Sequence, residues 1–150
     1  LVDINPQRAE IAKAFGLPFA SPQDAQAGAD LVFHASGRSE GLGCSLGLAG
    51  TEAKIVELSW FGDRQVSLGL GQAFHSQRLQ LISSQVGRIP HTQQARWDYR
   101  RRLQCALGLL LDPALEVLIS GQSDFDDLPA ALRDLSASPG ALCHRIYYPE

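Results

Sequence analysis

Two short strand-like runs, Leu31-Val32-Phe33 and Lys54-Ile55-Val56-Glu57-Leu58-Ser59, flank a stretch with helical spacing from Ser39 to Ala49. This alternation constrains the fold more than any other feature. A continuous apolar run of strand length needs cover on both faces, which suits a parallel sheet under helices better than a half-solvated antiparallel one. Strands separated by helices mean βαβ units and a mainly parallel sheet. The intervening helix carries Gly41, Gly43 and Gly47. Each costs up to about 1 kcal/mol relative to alanine, so close packing against a sheet is expected there.

The rest of the chain extends the pattern. Asn5 and Pro6 form a cap-then-proline start for a helix through Arg8, Ile11, Ala12 and Phe15, with Gly16 placed to end it in a left-handed turn. Ser21-Pro22 repeats the signal for a shorter helix closed by Gly28. Residues 60–72 read as loop with a short strand near Val66-Ser67-Leu68, and Leu79 to Ser83 as a further strand. Thr92 is expected to cap a long helix to about Leu111, with Trp97, Leu103, Ala106, Leu107 and Leu110 on its apolar stripe. Leu115 to Ile119 reads as a strand, Phe125 to Leu135 as a helix, and Leu142 to Tyr148 as a closing strand.

Composition excludes several classes. With 45% hydrophobic and 19% charged residues, the 150-residue chain is neither disordered nor fibrous. A net charge of -3 gives no reason to expect nucleic acid or an acidic membrane as partner. No apolar run reaches bilayer-spanning length and no signal peptide opens the chain, so a cytoplasmic setting is expected. Cys44, Cys105 and Cys143, without CxxC spacing, fit reduced thiols there. The chain begins at Leu1 and contains no methionine, so it is expected to be part of something longer.

Other clusters have plain explanations. The histidines His34, His75, His91 and His144 and the cysteines show no structural-zinc spacing, and adjacent Cys143 and His144 point to opposite strand faces. His34, at a strand end, invites a proton-transfer role, but a structural one is the expectation. Arg96, Arg100, Arg101 and Arg102, with Trp97 and Tyr99, resemble a nucleic-acid patch in content, yet three successive arginines splay around a helix and read as solvated surface. Asp124, Asp126 and Asp127 suit a helix start.

Asp3 ends the strand-like Leu1-Val2-Asp3-Ile4 just before a helix. In dinucleotide-binding folds a carboxylate there accepts hydrogen bonds from the adenosine ribose, with a glycine-rich turn about twenty residues upstream. Val2-Asp3-Ile4-Asn5 with Arg8 resembles the second strand of the nucleotide-binding domain of the zinc-type alcohol dehydrogenases, the medium-chain dehydrogenase/reductase superfamily. The resemblance continues in order. Ala29 to Gly37 resembles the third strand and its small-residue turn, Lys54 to Ser59 the fourth, and Leu81-Ile82-Ser83-Ser84-Gln85 the next. Asp112 to Ser120 and Phe125 to Leu132 resemble the closing strand and helix.

The resemblance implies a doubly wound parallel Rossmann-type α/β fold lacking its first strand and glycine-rich turn. Residues 1–121 would be an incomplete NAD-binding domain, and 122–150 a segment that packs on a catalytic domain outside this chain. Asp3 would bind the ribose hydroxyls, favouring NAD over NADP because a carboxylate repels the 2′-phosphate, with Arg8 beside the same ribose. Ala35, Ser36 and Arg38 would line the adenosine side. Leu58, Ser59 and Trp60 would hold the nicotinamide carboxamide, with Ser84 nearby and Arg145 reaching the pyrophosphate; Trp60 departs from the small or aliphatic residue usual there.

The implied parent transfers hydride between an alcohol or polyol and NAD, using zinc in the catalytic domain. It is compatible with a homo-oligomer, and the present chain alone is expected to be inactive. A methyltransferase fragment and a non-catalytic truncated relative are the alternatives. The methyltransferase also needs a ribose-binding acid after its second strand. In the order 3-2-1-4-5-6, loss of strand 1 separates strands 2 and 3 from strands 4 to 6, so the isolated segment is expected to be poorly soluble or only partly folded.

Overall fold

The computed structural model describes residues 1–137 and 140–149. Residues 138, 139 and 150 of the expected C-terminal segment lie outside the described residues. The chain divides into two compact units: Leu1, Asn5–Phe19 and Asp98–Glu150 form one, and Val2–Ile4 with Ala20–Trp97 form the other.

In the second unit, β1 (Ala29–His34), β2 (Ala49–Glu57) and β3 (Gln80–Ser83) make a parallel sheet in the order β1-β2-β3. Helix α2 (Ser39–Leu48) is the crossover between β1 and β2. This is the βαβ unit that the sequence predicts. Leu42 and Leu46 of α2 pack with Ala49, Ala53, Ile55 and Leu79 to form the core. Ile55, in the central strand, is completely buried, which stabilises the unit by about 2–3 kcal/mol from its own apolar surface. Val2 and Ala20 form an isolated parallel bridge, supported by the Asp3 N–H donating to the Ala20 carbonyl at 3.3 Å.

Cover on both faces is not what β1 has: Leu31 and Phe33 are exposed while His34 is buried. Nor does close packing account for all three glycines of α2. A Cβ at Gly41 would meet the His34 ring and the Ser36 hydroxyl, whereas those at Gly43 and Gly47 would meet nothing within 4 Å. Gly50 is constrained instead, since its Cβ would lie 3.0 Å from the Gly28 carbonyl oxygen. Gly28, at φ +96°, donates its N–H to the Leu48 carbonyl and so has little room to retreat. Gly50→Ala is expected to cost about 1–2 kcal/mol by overpacking, read as a lower urea midpoint at unchanged slope.

In the first unit, α1 (Arg8–Ala14) starts later than the Asn5-Pro6 signal. The Asn5 side chain instead accepts from the Gln7 N–H at 3.0 Å in a turn. Gly16 closes the helix at φ +65°, as expected. Helix α3 (Tyr99–Leu109) begins seven residues after Thr92, because Asp98 supplies the cap and accepts from the Arg101 N–H at 2.7 Å. Its Leu103 and Leu107, with Leu110 just beyond it, are exposed, so the stripe read from the sequence does not face a core within this unit. Residues 113–118 form a tight helical turn instead of a strand, and β4 (Ile119–Asp124) follows. The strand β4 pairs in parallel with β5 (Cys143–Tyr147), and α4 (Leu128–Ala137) connects them.

Two further expectations fail in the second unit. Ser21-Pro22 opens a turn closed by the Ser21 hydroxyl donating to Asp24 at 2.7 Å, not a helix. No strand forms at residues 66–68. Among the described residues no helix is long and apolar enough to cross a membrane.

Candidate functional site

Parallel strands carry their loops out at the carboxyl edge of the sheet, where open α/β folds bind ligands. Three loops leave that edge here. Ala35, Ser36 and Arg38 follow β1; Leu58, Ser59 and Trp60 follow β2; Ser84 follows β3. The Leu58 N–H donates to the His34 carbonyl at 2.8 Å, and the Ser84 N–H to the Glu57 carbonyl at 2.9 Å, so the three loop starts are stitched side by side. Asp3 belongs to this same unit; Arg8 and Arg145 belong to the other.

Beneath the loops lies a polar cluster centred on two residues that the sequence did not nominate as a site. His34 and Glu57 end β1 and β2 and are register partners. Neighbouring parallel strands are about 4.8 Å apart, so register partners present their side chains to one face at bonding range. The His34 Nδ1–H donates to Glu57 Oε2 at 2.6 Å. The second carboxylate oxygen, Oε1, accepts from the Ser59 N–H at 2.7 Å. On the other side of the ring, Nε2 meets the Ser36 hydroxyl at 2.6 Å. Ser36 lies two residues beyond the end of β1, in the turn that leads to α2.

The cluster also ties the two loops together. The Gly37 N–H donates to Ser59 Oγ at 2.9 Å, and the Arg38 N–H to Ser36 Oγ at 3.2 Å. Arg64 donates to the carbonyls of Gly37 and Phe61 at 3.2 and 3.0 Å, and the Phe61 ring lies parallel to the His34 ring. Only 4% of His34 and 9% of Glu57 is exposed, whereas Ser36 is exposed. A signal was present in the sequence: Glu57 is an acid directly after the apolar pair Ile55-Val56 at the end of its strand, and His34 holds the same position at the end of the preceding one. Pairing them required the register.

The other nominated residues are distributed plainly. Trp60 is almost fully exposed. Arg145, in β5, donates to Glu116 at 2.7 Å and to the Tyr147 hydroxyl at 3.4 Å. Tyr147, and then Glu116, push its guanidinium further towards the protonated form. Arg102 lies over the Tyr99 ring, 5.3 Å from its centroid. Among the described residues no group of three or more His, Cys, Asp or Glu side chains is placed to hold a metal ion.

No protein-family model matches the chain, and no curated protein sequence matches it. Solved structures do match in fold. L-idonate 5-dehydrogenase from Escherichia coli K-12 is 17% identical with a TM-score of 0.74, over 97% of this chain and 42% of that one. The 2R,3R-butanediol dehydrogenase from Bacillus subtilis is 12% identical with a TM-score of 0.71, over 99% of this chain and 43% of that one. A short chain alcohol dehydrogenase from Escherichia coli CFT073, solved in complex with NADH, is 18% identical with a TM-score of 0.65, over 97% and 42%. The chain therefore spans less than half the length of these structures. Their class, alcohol and polyol dehydrogenases, is the one to which the sequence resemblance points. The likeness is one of fold: α/β, with parallel strands in two small sheets.

Proposed function

We propose that the chain is the cofactor-binding portion of an NAD-dependent alcohol or polyol dehydrogenase of the medium-chain superfamily. The observation that carries this reading is the fold match over nearly the whole chain to such dehydrogenases. The loop alignment at the carboxyl edge of the β1-β2-β3 sheet supports it. Asp3 takes the adenosine ribose hydroxyls, and the carboxylate disfavours the 2′-phosphate of NADP. Ala35, Ser36 and Arg38 line the adenosine side, and Leu58, Ser59, Trp60 and Ser84 the nicotinamide side.

The fit at the nicotinamide can be refined. The N–H groups of Leu58 and Ser59 are engaged by the His34 carbonyl and the Glu57 carboxylate. The carboxamide is therefore left to the carbonyl oxygens of Leu58 and Ser59, which accept from its NH₂ group. Glu57 itself, held by His34 and Ser59, is turned inward and does not repel a dinucleotide phosphate. The roles that the resemblance gives Arg8 at the ribose and Arg145 at the pyrophosphate are proposed on the resemblance alone. So are the domain division at residue 121, the zinc-dependent catalytic domain and the cytoplasmic setting. When bound, NAD supplies the hydride chemistry.

Ligand-observed NMR on the folded chain tests this. Saturation should pass to the adenine and ribose protons of NAD more strongly than to those of NADP. Asp3→Ala should weaken NAD binding about tenfold, the loss of a charged hydrogen bond worth about 1.5 kcal/mol. Equal signals for the two cofactors, or an Asp3→Ala chain that binds as well, would count against the reading. With alcohols and NAD the chain by itself should form no NADH; measurable formation would overturn its assignment as a cofactor-binding portion alone.

A further inference from the structure

We propose that Ser36 is an activated nucleophile, with His34 as its general base and Glu57 as the positioning residue, and that it accepts acyl groups from small carboxylic esters. The geometry is that of a serine–histidine–acid relay. The Ser36 hydroxyl lies 2.6 Å from His34 Nε2, and His34 Nδ1 lies 2.6 Å from Glu57 Oε2. Both contacts fall within the range for nucleophile to base and base to orienter. The carboxylate holds the ring in the tautomer with the proton on Nδ1, which leaves Nε2 free to take the serine proton. His34 and Glu57 are buried, so the relay is rigid, while Ser36 is exposed and reachable by a small ester.

The local chain path also suits the chemistry. Ser36 sits in a tight turn between β1 and α2, with Gly37 at φ +63°. The run His34-Ala35-Ser36-Gly37-Arg38 is not a G-x-S-x-G elbow, but the turn leaves the Ser36 hydroxyl at the carboxyl edge of the parallel sheet. Helix α2 starts three residues later with no side-chain cap at its N-terminus, and the Arg38 N–H just before it already lies 3.2 Å from Ser36 Oγ, so backbone donors are at hand for a developing oxyanion. Gly41 completes the arrangement, since any Cβ there would press on the Ser36 hydroxyl and come within 2.9 Å of His34 Nε2.

In the first step Ser36 Oγ attacks the ester carbonyl carbon, and the hydroxyl proton passes to His34 Nε2. The carbon–oxygen bond to the leaving alcohol then breaks, and that alcohol departs with the proton from His34. Water, deprotonated by His34, hydrolyses the acyl-serine to the free acid and restores the enzyme. No oxidant, metal or cofactor is required. The inference is independent of the cofactor reading, although both use the loop after β1.

The test is covalent trapping with a fluorophosphonate, in which the Ser36 Oγ–phosphorus bond forms, the phosphorus–fluorine bond breaks and fluoride leaves. Intact-mass and peptide mass spectrometry should show one adduct, on Ser36, absent from Ser36→Ala. His34→Gln should slow labelling about 100-fold or more, the contribution of a positioned base. Gly41→Ala should do the same by pushing the hydroxyl off the ring, without unfolding the chain, because alanine favours a helix interior over glycine. Glu57→Gln keeps an acceptor for the Ser59 N–H; it should lower kcat for p-nitrophenyl acetate at unchanged KM, which a purely structural role would not separate. An adduct on another serine, no adduct above the background of Ser36→Ala, or equal labelling in Gly41→Ala and the unsubstituted chain would overturn the proposal.

Discussion

His34→Leu is expected to lower the unfolding free energy of the β1-β2-β3 unit by about 3 kcal/mol, because it strands a buried carboxylate. Glu57 Oε2 loses its 2.6 Å partner, and with only 9% of the residue exposed, water cannot fully replace the lost donor. For a unit of this size the midpoint should fall on the order of 15 °C. Leucine keeps the apolar bulk against Phe61, so little of the loss comes from packing. A double-mutant cycle separates the two terms. In His34→Leu with Glu57→Leu the stranded charge is gone, and most of the stability should return, leaving the Ser59 N–H without its acceptor. Additive losses in the cycle would mean that the two side chains do not stabilise each other. Scanning calorimetry and urea melts of the four proteins supply the measurement.

Ile55→Ala is expected to cost about 3–4 kcal/mol, the usual range for truncating a fully buried β-branched residue. Ile55 is flanked in register by Val32 on β1 and Leu81 on β3 and packs in the cluster with Leu42 and Leu46 of α2. Removing three carbons there leaves a void that neither the sheet nor the helix can close without losing its own contacts. Small domains are stable by about 5–15 kcal/mol in total, so this single change removes a large part of the margin. Circular dichroism should show a lower urea midpoint. A loss below about 1 kcal/mol would mean that the core does not centre on this side chain. Leu31→Ala on the same sheet serves as the contrast, because that side chain is already exposed and should cost far less.

The βαβ pattern was legible because it is local. Apolar runs of strand length, a helix between them and glycines at the turns are short-range facts, and the strands and helix formed close to their expected residues. Gly16 took its left-handed turn for the same reason. Errors clustered where two local signals competed. Thr92 and Asp98 can each cap a helix, and Asp98 won by reaching the Arg101 N–H. The run Leu115 to Ile119 has the composition of a strand, yet Asp112 accepts from the Ala114 N–H at 2.9 Å and starts a helical turn there. Short apolar runs do not distinguish the two by periodicity.

The candidate site divides along the same line. Ser36, Ser59 and Ser84 follow strand ends, so their place at the carboxyl edge could be read from chain order alone. The cluster that joins Ser36 and Ser59 could not. His34 and Glu57 stand 23 residues apart, and each taken singly looks like a satisfied polar residue. By itself, then, the amino-acid sequence determined a parallel α/β arrangement and which residues leave the strand ends, because both follow from local periodicity. Only the tertiary structure decided that His34 faces Glu57 across one register step and that Gly41 leaves room for Ser36 beside the ring. Strand register is set by packing of the whole sheet, and a slip of one residue would have turned every one of these side chains to the opposite face.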